Sequence, residues 1–318
     1  MIVTRPVVQI VAGCTDRKRL PVPGDLRIQA VREKRPGDLF GAWWRTLEQH
    51  SSPSVPAVDL YAGDHWTVVR DLPRVAHEAG LDARLWVASA GYGLVPAEAH
   101  LRAYGATFTP GHPDSVAEGT AGDETARRWW HALAGRPGPH QTAPRTLADL
   151  ALASAGAKLL VVASPRYVRA MADDLAQAAS ALREQDDLLI VSGDPGTSHE
   201  TLRRNWVPSV ASLQTTVGGS RLSLHARIAR RILEEAARRG LAATAVRDRF
   251  IGLARAAPPP QQYDRTPLDD EAVRSFVAQN LRSNPTATHT QLLRALRDSG
   301  RACEQARFRQ LFLQVKER

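Results

Sequence analysis

Cysteine and long apolar runs are scarce in this sequence. Only two cysteines, Cys14 and Cys303, occur in 318 residues, and they lie too far apart for a metal-binding spacing. No apolar stretch approaches the roughly 20 residues of a membrane span, and the N-terminus lacks the charged-then-apolar pattern of a signal peptide. Free thiols without a targeting or spanning segment are typical of a cytoplasmic protein, and no contact with a membrane is expected.

The sequence motifs of several common enzyme classes are also absent. There is no Gly-x-x-x-x-Gly-Lys-Ser/Thr phosphate loop, no Gly-x-Gly-x-x-Gly after the first strand-like run, and no His-Glu-x-x-His. The His-x-Glu and Cys-x-x-Cys pair of zinc deaminases is missing as well. We therefore expect neither a metal nor a cofactor, and chemistry that depends on carboxylate, hydroxyl and aromatic groups.

The apolar fraction of 43% is ample for a core, and strand-like apolar runs alternate with helical segments. This alternation predicts an α/β fold, with a mostly parallel sheet, helices on both faces and a small all-helical C-terminal domain. The predicted strands are residues 7–13, 58–61, 84–90, 159–164, 188–192 and 210–213, with an edge strand at 106–109. The predicted helices include residues 125–133, 146–156 and 167–183.

Positive charge is concentrated in the last third of the chain. From position 216 onward, 19 Arg and Lys stand against 10 Asp and Glu, which accounts for the whole net charge of +9. Nearly all of these cations are arginines, whose guanidinium binds phosphate through two parallel hydrogen bonds. The pattern indicates a nucleic-acid partner, taken as double-stranded DNA. The alternative is the solvated basic surface of an arginine-rich proteome.

The composition predicts four segments. They are an α/β catalytic domain (1–217), a basic helical connector (218–256), a proline-rich linker (257–267) and a helix-turn-helix-like DNA-binding domain (268–318). Two short helices around Gly300, after a preceding helix, fit a helix-turn-helix. The alternative is a small helical bundle that packs on the core or on a partner subunit. The arginines expected on DNA are Arg227, Arg231, Arg301, Arg307 and Arg309.

Four strand-like runs end in polar loops, at residues 14–18, 89–93, 164–167 and 192–196. Loops beyond the carboxyl ends of parallel strands commonly carry the chemistry of an open α/β sheet. A carboxylate there can stabilise the oxocarbenium-like state of N-glycosidic cleavage and orient or deprotonate water. The first candidate for that carboxylate is Asp16. The second is Asp64, whose alternative role is to cap the following helix.

Other side chains in these loops suit a base-binding pocket, because hydroxyls read the edge of a flipped base and aromatic rings stack on it. The candidates are Ser89, Tyr92, Ser164 and Ser192. Loop histidines His112 and His199 are expected to contact nucleic acid, with a plain surface position as the alternative for both. Cys14 is an alternative nucleophile, because a neighbouring cation activates a thiol.

Three motifs support a family resemblance: CTDRK after the first strand, LYAGDHW, and VASAGYGLVP followed shortly by a tyrosine. Over roughly residues 5–110 the chain resembles a bacterial group of α/β domains with a Cys-x-x-x-Lys turn, a Leu-Tyr segment and a Ser-Ala-x-x-Gly-Leu motif. That group is distantly similar to peroxide-stress DNA-binding proteins, to the uracil-DNA-glycosylase-like fold and to base-exchange enzymes of deazaguanine metabolism. An anti-phage DNA glycosylase acting on modified cytosine is related to it.

The resemblance implies roles for the residues that match its motifs. They are Cys14, Lys18, Tyr61, Ser89, Gly93, Leu94 and Tyr104. Among these, Cys14, Tyr61 and Tyr104 are expected to bind the base and Lys18 to contact DNA. The leading hypothesis is a DNA glycosylase that flips out a modified base and hydrolyses its N-glycosidic bond, in phage defence. The alternatives are a non-enzymatic DNA-binding regulator or sensor, and a base-exchange transglycosylase or nuclease.

Overall fold

The structure is a computed structural model that describes residues 5–34, 37–117, 122–154, 156–194, 196, 199–259 and 264–316. The chain divides into two compact units, Met1–Pro258 and Pro259–Arg318. Residues 218–256, predicted as a separate connector, belong to the first unit. Part of the predicted linker and of the predicted loop 192–196 lies outside the described residues.

Eight strands are described in the first unit. They are β1 (Val7–Gly13), β2 (Ser54–Pro56), β3 (Asp82–Ser89), β4 (Gly93–Pro96), β5 (His100–Arg102), β6 (Lys158–Val162), β7 (Leu188–Ser192) and β8 (Trp206–Pro208). Six of them form one sheet in the order β4-β3-β1-β6-β7-β8, parallel throughout except for the β3–β4 pair. The short strands β2 and β5 pair separately and are antiparallel.

Helices flank this sheet and complete the first unit. They are α1 (Ile28–Lys34), α2 (Leu39–Gln49), α3 (Ala57–Leu60), α4 (Asp64–Val69), α5 (Leu72–Glu78), α6 (Gly122–Ala134), α7 (Leu147–Ala153), α8 (Pro165–Ala170), α9 (Ala172–Ala181), α10 (Glu200–Arg204), α11 (Gln214–Val217), α12 (Leu224–Arg239) and α13 (Ala243–Ala256). Short 3₁₀ turns lie at Gly24–Leu26, Gln185–Asp187, Ala211–Leu213 and Arg221–Ser223. The predicted α/β class, with a mostly parallel sheet and C-terminal helices, is confirmed.

The central strand β1 explains why the sheet forms here. A strand that is covered on both faces has a nearly continuous apolar sequence, and β1 is buried from its second residue onward. Its one polar side chain, Gln9, accepts a hydrogen bond from Trp86 Nε1 (2.7 Å) and donates one to Ser154 Oγ (2.9 Å). The one polar side chain of β1 therefore has hydrogen-bond partners inside the core. The carboxyl end of the strand, at Gly13, lies in the middle of the sheet edge.

Truncation of this strand's core is expected to be costly. Ile10 is fully buried and lies in register with Leu85 and Leu160. We expect Ile10→Ala to lower the free energy of unfolding by about 2–5 kcal/mol, through lost burial and an unfilled cavity. Urea unfolding measures the loss. The matched control is Leu152→Ala in α7, whose side chain is 66% exposed; a similar loss in both variants would refute the assignment of Ile10 to the core.

Three predicted strands are wrong. Residues 58–61 fall largely in helix α3, and Tyr61 forms only an isolated bridge with Lys18. Residues 106–109 contain a single bridge, Thr107 to Ser115, and residues 210–213 fall in a 3₁₀ turn, whereas the edge strand is β8. The predicted helix 167–183 is divided at Met171 into α8 and α9. Short apolar runs have the same pattern in a strand and in a buried helical turn, so periodicity cannot separate them.

The second unit is small and mainly helical. It contains α14 (Asp270–Ser283), α15 (His289–Asp298) and α16 (Gln305–Lys316), and a two-residue parallel pair of β9 (Thr266–Pro267) with β10 (Arg301–Ala302). Its core is formed by Val273, Val277, Leu292, Leu293, Leu296, Phe308, Leu311 and Phe312. Gly300, with a φ of 77°, provides the left-handed turn between α15 and β10. DNA binding by this unit stays a prediction.

Within the described ranges, no helix combines the length and the apolar character needed to cross a bilayer.

Candidate functional site

A cavity of about 390 Å³ opens at the carboxyl end of β1. Its walls come from the loop after β1, the start of α4, the loop after β6 and the N-terminal part of α12. The lining residues are Gly13, Cys14, Thr15, Asp16, Arg17, Ala62, Gly63, Asp64, His65, Ser164, Tyr167, Leu222 and His225. Parallel β1 and β6 are neighbours in the sheet, so their following loops meet at one edge, as the strand order requires.

Cys14 lies on the cavity wall at the centre of a cluster of hydroxyl groups. Its sulfur is 3.1 Å from Tyr167 Oη and accepts a hydrogen bond from Tyr104 Oη at 3.4 Å. Tyr104 Oη is also 2.6 Å from Ser89 Oγ and 3.0 Å from Tyr61 Oη. The cluster joins residues from five separate parts of the chain and connects the cavity to the interior behind it.

The donors and acceptors of two hydroxyl groups in this cluster, those of Ser89 and Tyr104, follow from their neighbours. Ser89 Oγ accepts from the backbone N–H groups of Gly91 (3.3 Å) and Tyr92 (3.0 Å), so its own proton is available for Tyr104 Oη. Burial raises the pKa of the Tyr61, Tyr104 and Tyr167 hydroxyls well above the ordinary value. The three phenols therefore keep their protons at neutral pH, and Tyr104 donates its proton toward sulfur.

Lys18 lies inside the same cluster. Its Nζ is 4.5 Å from the centre of the Tyr104 ring and 5.9 Å from that of Tyr61, within the range of a cation–π contact. Nζ is buried and has no hydrogen-bond partner among the residues that the structure describes. Burial lowers the pKa of Lys18. The expected role of Lys18 as a DNA contact is therefore wrong, because its terminal amino group lies in the interior.

Asp16 is the carboxylate that the cavity leaves accessible. Its side chain is 65% exposed, and Nε2 of His112 lies 4.0 Å from its Oδ1. His112 thus lies close to the cavity rim, and its expected contact with nucleic acid stays a prediction. A carboxylate in this position can contact a water molecule inside the cavity and a positive charge that develops on a bound sugar.

Asp64, the rival carboxylate, is engaged in structural contacts. Its Oδ2 accepts hydrogen bonds from Ser223 Oγ (2.6 Å) and Ser220 Oγ (2.7 Å), and its Oδ1 is 3.0 Å from Arg227 Nη2. The two serine hydroxyls, with Arg227, lower the pKa of Asp64. It is a weaker base for that reason, and it is also not a helix cap, since Gly63 occupies the N-cap position. Asp64 ties the start of α4 to the start of α12.

Two histidines that the sequence did not suggest form another part of the wall. The rings of His65 and His225 lie 4.5 Å apart at 37°, and His65 Nε2 is 3.3 Å from the carbonyl oxygen of Gly13, which fixes it as a donor. Burial lowers the pKa of His65 to about 4 and that of His225 to about 3. Both rings are neutral at physiological pH. His65 directly follows Asp64 in sequence, but no local signal identifies His225.

Of the other predicted base contacts, Ser164, Tyr92 and Ser192, only the first lines the cavity. Ser164 lines the cavity with Cys14. Tyr92 lies one layer further back, where its ring packs on Tyr104 at 5.3 Å and its hydroxyl accepts from the Arg102 backbone N–H (3.0 Å); burial raises its pKa to about 12. Ser192 is fully buried and does not line the cavity, so its assignment there is wrong. Sequence reasoning did not select Tyr167, although it is the last residue of the 164–167 loop.

The arginines predicted to bind DNA occupy different environments. Arg227 is bound to Asp64, Arg231 pairs with the nearly buried Glu235, and Arg307 pairs with Asp270 in the second unit. Arg301 and Arg309 are exposed in that unit. His199, the remaining predicted contact, lies 3.4 Å from Asp173. Several of these cations therefore stabilise the fold, and exposed ones remain in both units.

The structure also refines where the excess charge lies. Residues 216–258, within the first unit, contain nine Arg and Lys against three Asp and Glu, whereas residues 259–318 contain ten against seven. Two thirds of the net charge thus belongs to the unit that contains the cavity. Within the described residues, no group of three or more His, Cys, Asp or Glu is arranged to hold a metal ion.

Comparisons of the chain with protein-family models, with curated proteins and with solved structures give no match. The family resemblance thus stays an expectation. Five of the residues it singles out nevertheless form the single cluster behind the cavity: Cys14, Lys18, Tyr61, Ser89 and Tyr104.

Proposed function

We propose that this protein is a DNA glycosylase that hydrolyses the N-glycosidic bond of a modified base in the cavity at the end of β1. The observation that carries the proposal is the accessible carboxylate of Asp16 on the wall of a cavity of about 390 Å³. That volume falls within the range of small-ligand sites. An aromatic ring, a thiol and a hydroxyl, from Tyr167, Cys14 and Ser164, share the wall.

The reaction needs little beyond these groups. Asp16 orients a water molecule and accepts one of its protons, while the water oxygen bonds to C1′ of the sugar. The bond from C1′ to the base nitrogen breaks, and its electron pair leaves with the base, which takes a proton from solvent. The negative charge of Asp16 stabilises the oxocarbenium-like state between these events. Neutral His65 and His225 add no competing positive charge to the wall.

The remaining walls suit a flat, partly polar ligand. A base extruded from a helix is held by stacking on aromatic side chains and by hydrogen bonds along its edge. Tyr167 offers a ring, and Ser164 and Cys14 offer edge contacts. The basic excess of the first unit favours a polyanion carrying that base. Modified cytosine in phage DNA is the substrate that the motif resemblance suggests, and the free thiols Cys14 and Cys303 agree with a cytoplasmic reaction.

The proposal is tested with duplexes that each carry one modified or damaged base. After incubation with the full chain, alkali cleaves the strand only where a base has been lost, so strand breaks that require alkali identify a glycosylase. Breaks without alkali would identify a nuclease. Binding in a gel shift with no break under either condition would identify a non-enzymatic DNA-binding protein.

A second candidate, base exchange through a covalent intermediate, is favoured by the surroundings of Cys14. Its sulfur lines the cavity and lies within 3.4 Å of two phenol hydroxyls, those of Tyr104 and Tyr167. In this reaction the Cys14 thiol gives up its proton, sulfur bonds to C1′ as the bond from C1′ to the base breaks, and the departing base takes up a proton. An incoming base then bonds to C1′ and displaces the sulfur, and the proton that this base loses restores the thiol. Asp16 would not be required to activate water.

Cys14→Ser distinguishes the two candidates. We expect the variant to keep base release within about tenfold of the wild type, because a hydroxyl replaces the thiol as an edge contact. Mass spectrometry of the intact protein should show no covalent sugar adduct in the wild type. An adduct that disappears in Cys14→Ser, together with loss of base release, would select base exchange.

A further inference from the structure

Leu222 is the most exposed of the large apolar side chains that the structure describes, at 82%. It lies in the 3₁₀ turn Arg221–Ser223 and also lines the cavity. An apolar side chain that stays in water lacks the stabilisation that burial would give it. Single exposed leucines are nevertheless ordinary on protein surfaces. The position of Leu222 at the mouth of the candidate site is what sets it apart from the exposed Leu152.

The turn that carries Leu222 is firmly held. Ser220 lies two residues before Leu222, and Ser223 directly follows it. The hydroxyl groups of both serines donate to the same carboxylate oxygen, Oδ2 of Asp64. Ser223 Oγ also accepts from Arg227 Nε at 2.9 Å. These contacts fasten the turn to the start of α4, which is itself part of the cavity wall. The protein therefore presents an exposed leucine in a fixed position beside the cavity.

Positive charge accompanies the exposed leucine. Arg221 precedes it and is exposed, and Arg17, also exposed, lines the same cavity. Apolar wedges that enter the base stack occur in DNA-binding proteins together with basic side chains on the adjacent phosphates. A small molecule bound in the cavity would need neither a projecting leucine nor flanking arginines.

We propose that Leu222 is an apolar wedge that enters the base stack of duplex DNA as the target base moves into the cavity. The inference rests on the proposed function and extends it by assigning the substrate class, a base within a double helix. Extraction of a base breaks its stacking with both neighbours, and the leucine side chain fills the space that the base leaves. Asp64 is then a positioning residue that acts through the turn.

The test compares Leu222→Ala with the wild type on a duplex and on the same oligonucleotide as a single strand. The wedge is needed only where a stack must be filled, so base release should fall about tenfold more on the duplex than on the single strand. Leu152→Ala, which removes an exposed leucine far along the chain in α7, should leave the duplex-to-single-strand ratio unchanged. Equal losses on both substrates, or no loss on the duplex, would overturn the proposal.

A binding measurement separates this inference from the proposed chemistry. The fluorescence of 2-aminopurine placed beside the target base rises when that base is unstacked. With the full chain carrying Asp16→Asn, the signal should rise on the DNA duplex, and the added Leu222→Ala should abolish the rise. An equal rise with and without Leu222, or a rise on an RNA duplex of the same sequence and none on DNA, contradicts the wedge. A leucine-dependent rise with no base release by the wild type would retain the wedge and reject the glycosylase.

Discussion

Asp16→Asn should lower the rate of base release by about 10²–10⁴-fold, the usual contribution of a positioned base, while DNA binding changes little. Asparagine keeps the shape of the side chain but accepts no proton from water and carries no charge to stabilise an oxocarbenium-like sugar. Asp16 is largely exposed, and its contact with His112 is long, at 4.0 Å, so the substitution should not disturb the fold. Single-turnover rates, with protein in excess over DNA, measure the chemical step.

The matched control is Asp64→Asn, at the other carboxylate on the same wall. This change weakens the contacts with Ser220, Ser223 and Arg227 that hold the turn before α12. Its effect should therefore resemble that of Leu222→Ala, with a greater loss on duplex than on single-stranded DNA. If Asp64→Asn stopped base release from single strands while Asp16→Asn remained active, the two aspartates would have been assigned the wrong way round.

Acid should destabilise the first unit well above the pH at which carboxylates titrate. His65 and His225 have folded-state pKa values of about 4 and about 3, whereas a histidine in an unfolded chain titrates near 6.5. Between those limits the unfolded chain binds two more protons than the folded one at this pair. The free energy of unfolding is thus highest above pH 6.5 and falls with decreasing pH, by up to about 2.7 kcal/mol per pH unit for two protons.

Urea unfolding followed by tryptophan fluorescence measures this dependence for the first unit alone, since all seven tryptophans precede position 259. His225→Gln should remove about half of the contribution from the pair, with Leu152→Ala as the substitution control. The lowered pKa of Asp64 has the same sign of effect over a more acidic range: its stabilisation is present above the unfolded value near 3.8 and is lost as the pH falls below it. A pH dependence between 6.5 and 4.5 that is the same in His225→Gln and the wild type would contradict the buried, neutral pair.

The buried strands were predictable from the sequence because continuous apolar runs at β1, β3, β6 and β7 have few alternatives in a chain that alternates strands and helices. The position of Asp16 at the edge of the sheet was predictable from the end of β1, because Asp16 comes three residues after that end. Helix α3 was not predictable, because a four-residue apolar turn has no distinctive period. Short elements are decided by their tertiary contacts rather than by local preference.

The rest of the site depends on contacts between distant parts of the chain. His225 and Leu222 reach the cavity only because α12 returns to pack beside α4, and a turn about 160 residues away binds Asp64. The same packing explains why charge alone overestimated the cations available to DNA: Arg227 and Arg231 are recognisable as ion-paired only when Asp64 and Glu235 are placed beside them. Composition reports how much charge a segment has and not where its counter-charges lie.

The most direct test of base excision at the end of β1 is a mass-spectrometric count of free base and abasic strand under single-turnover conditions, on duplexes that each carry one modified cytosine. The wild-type chain should release free base and abasic strand in equal amounts from at least one duplex, and Asp16→Asn should release both at least about a hundredfold more slowly. Intact oligonucleotide from every duplex, despite demonstrated binding, or release that is unaffected by Asp16→Asn, would contradict the mechanism.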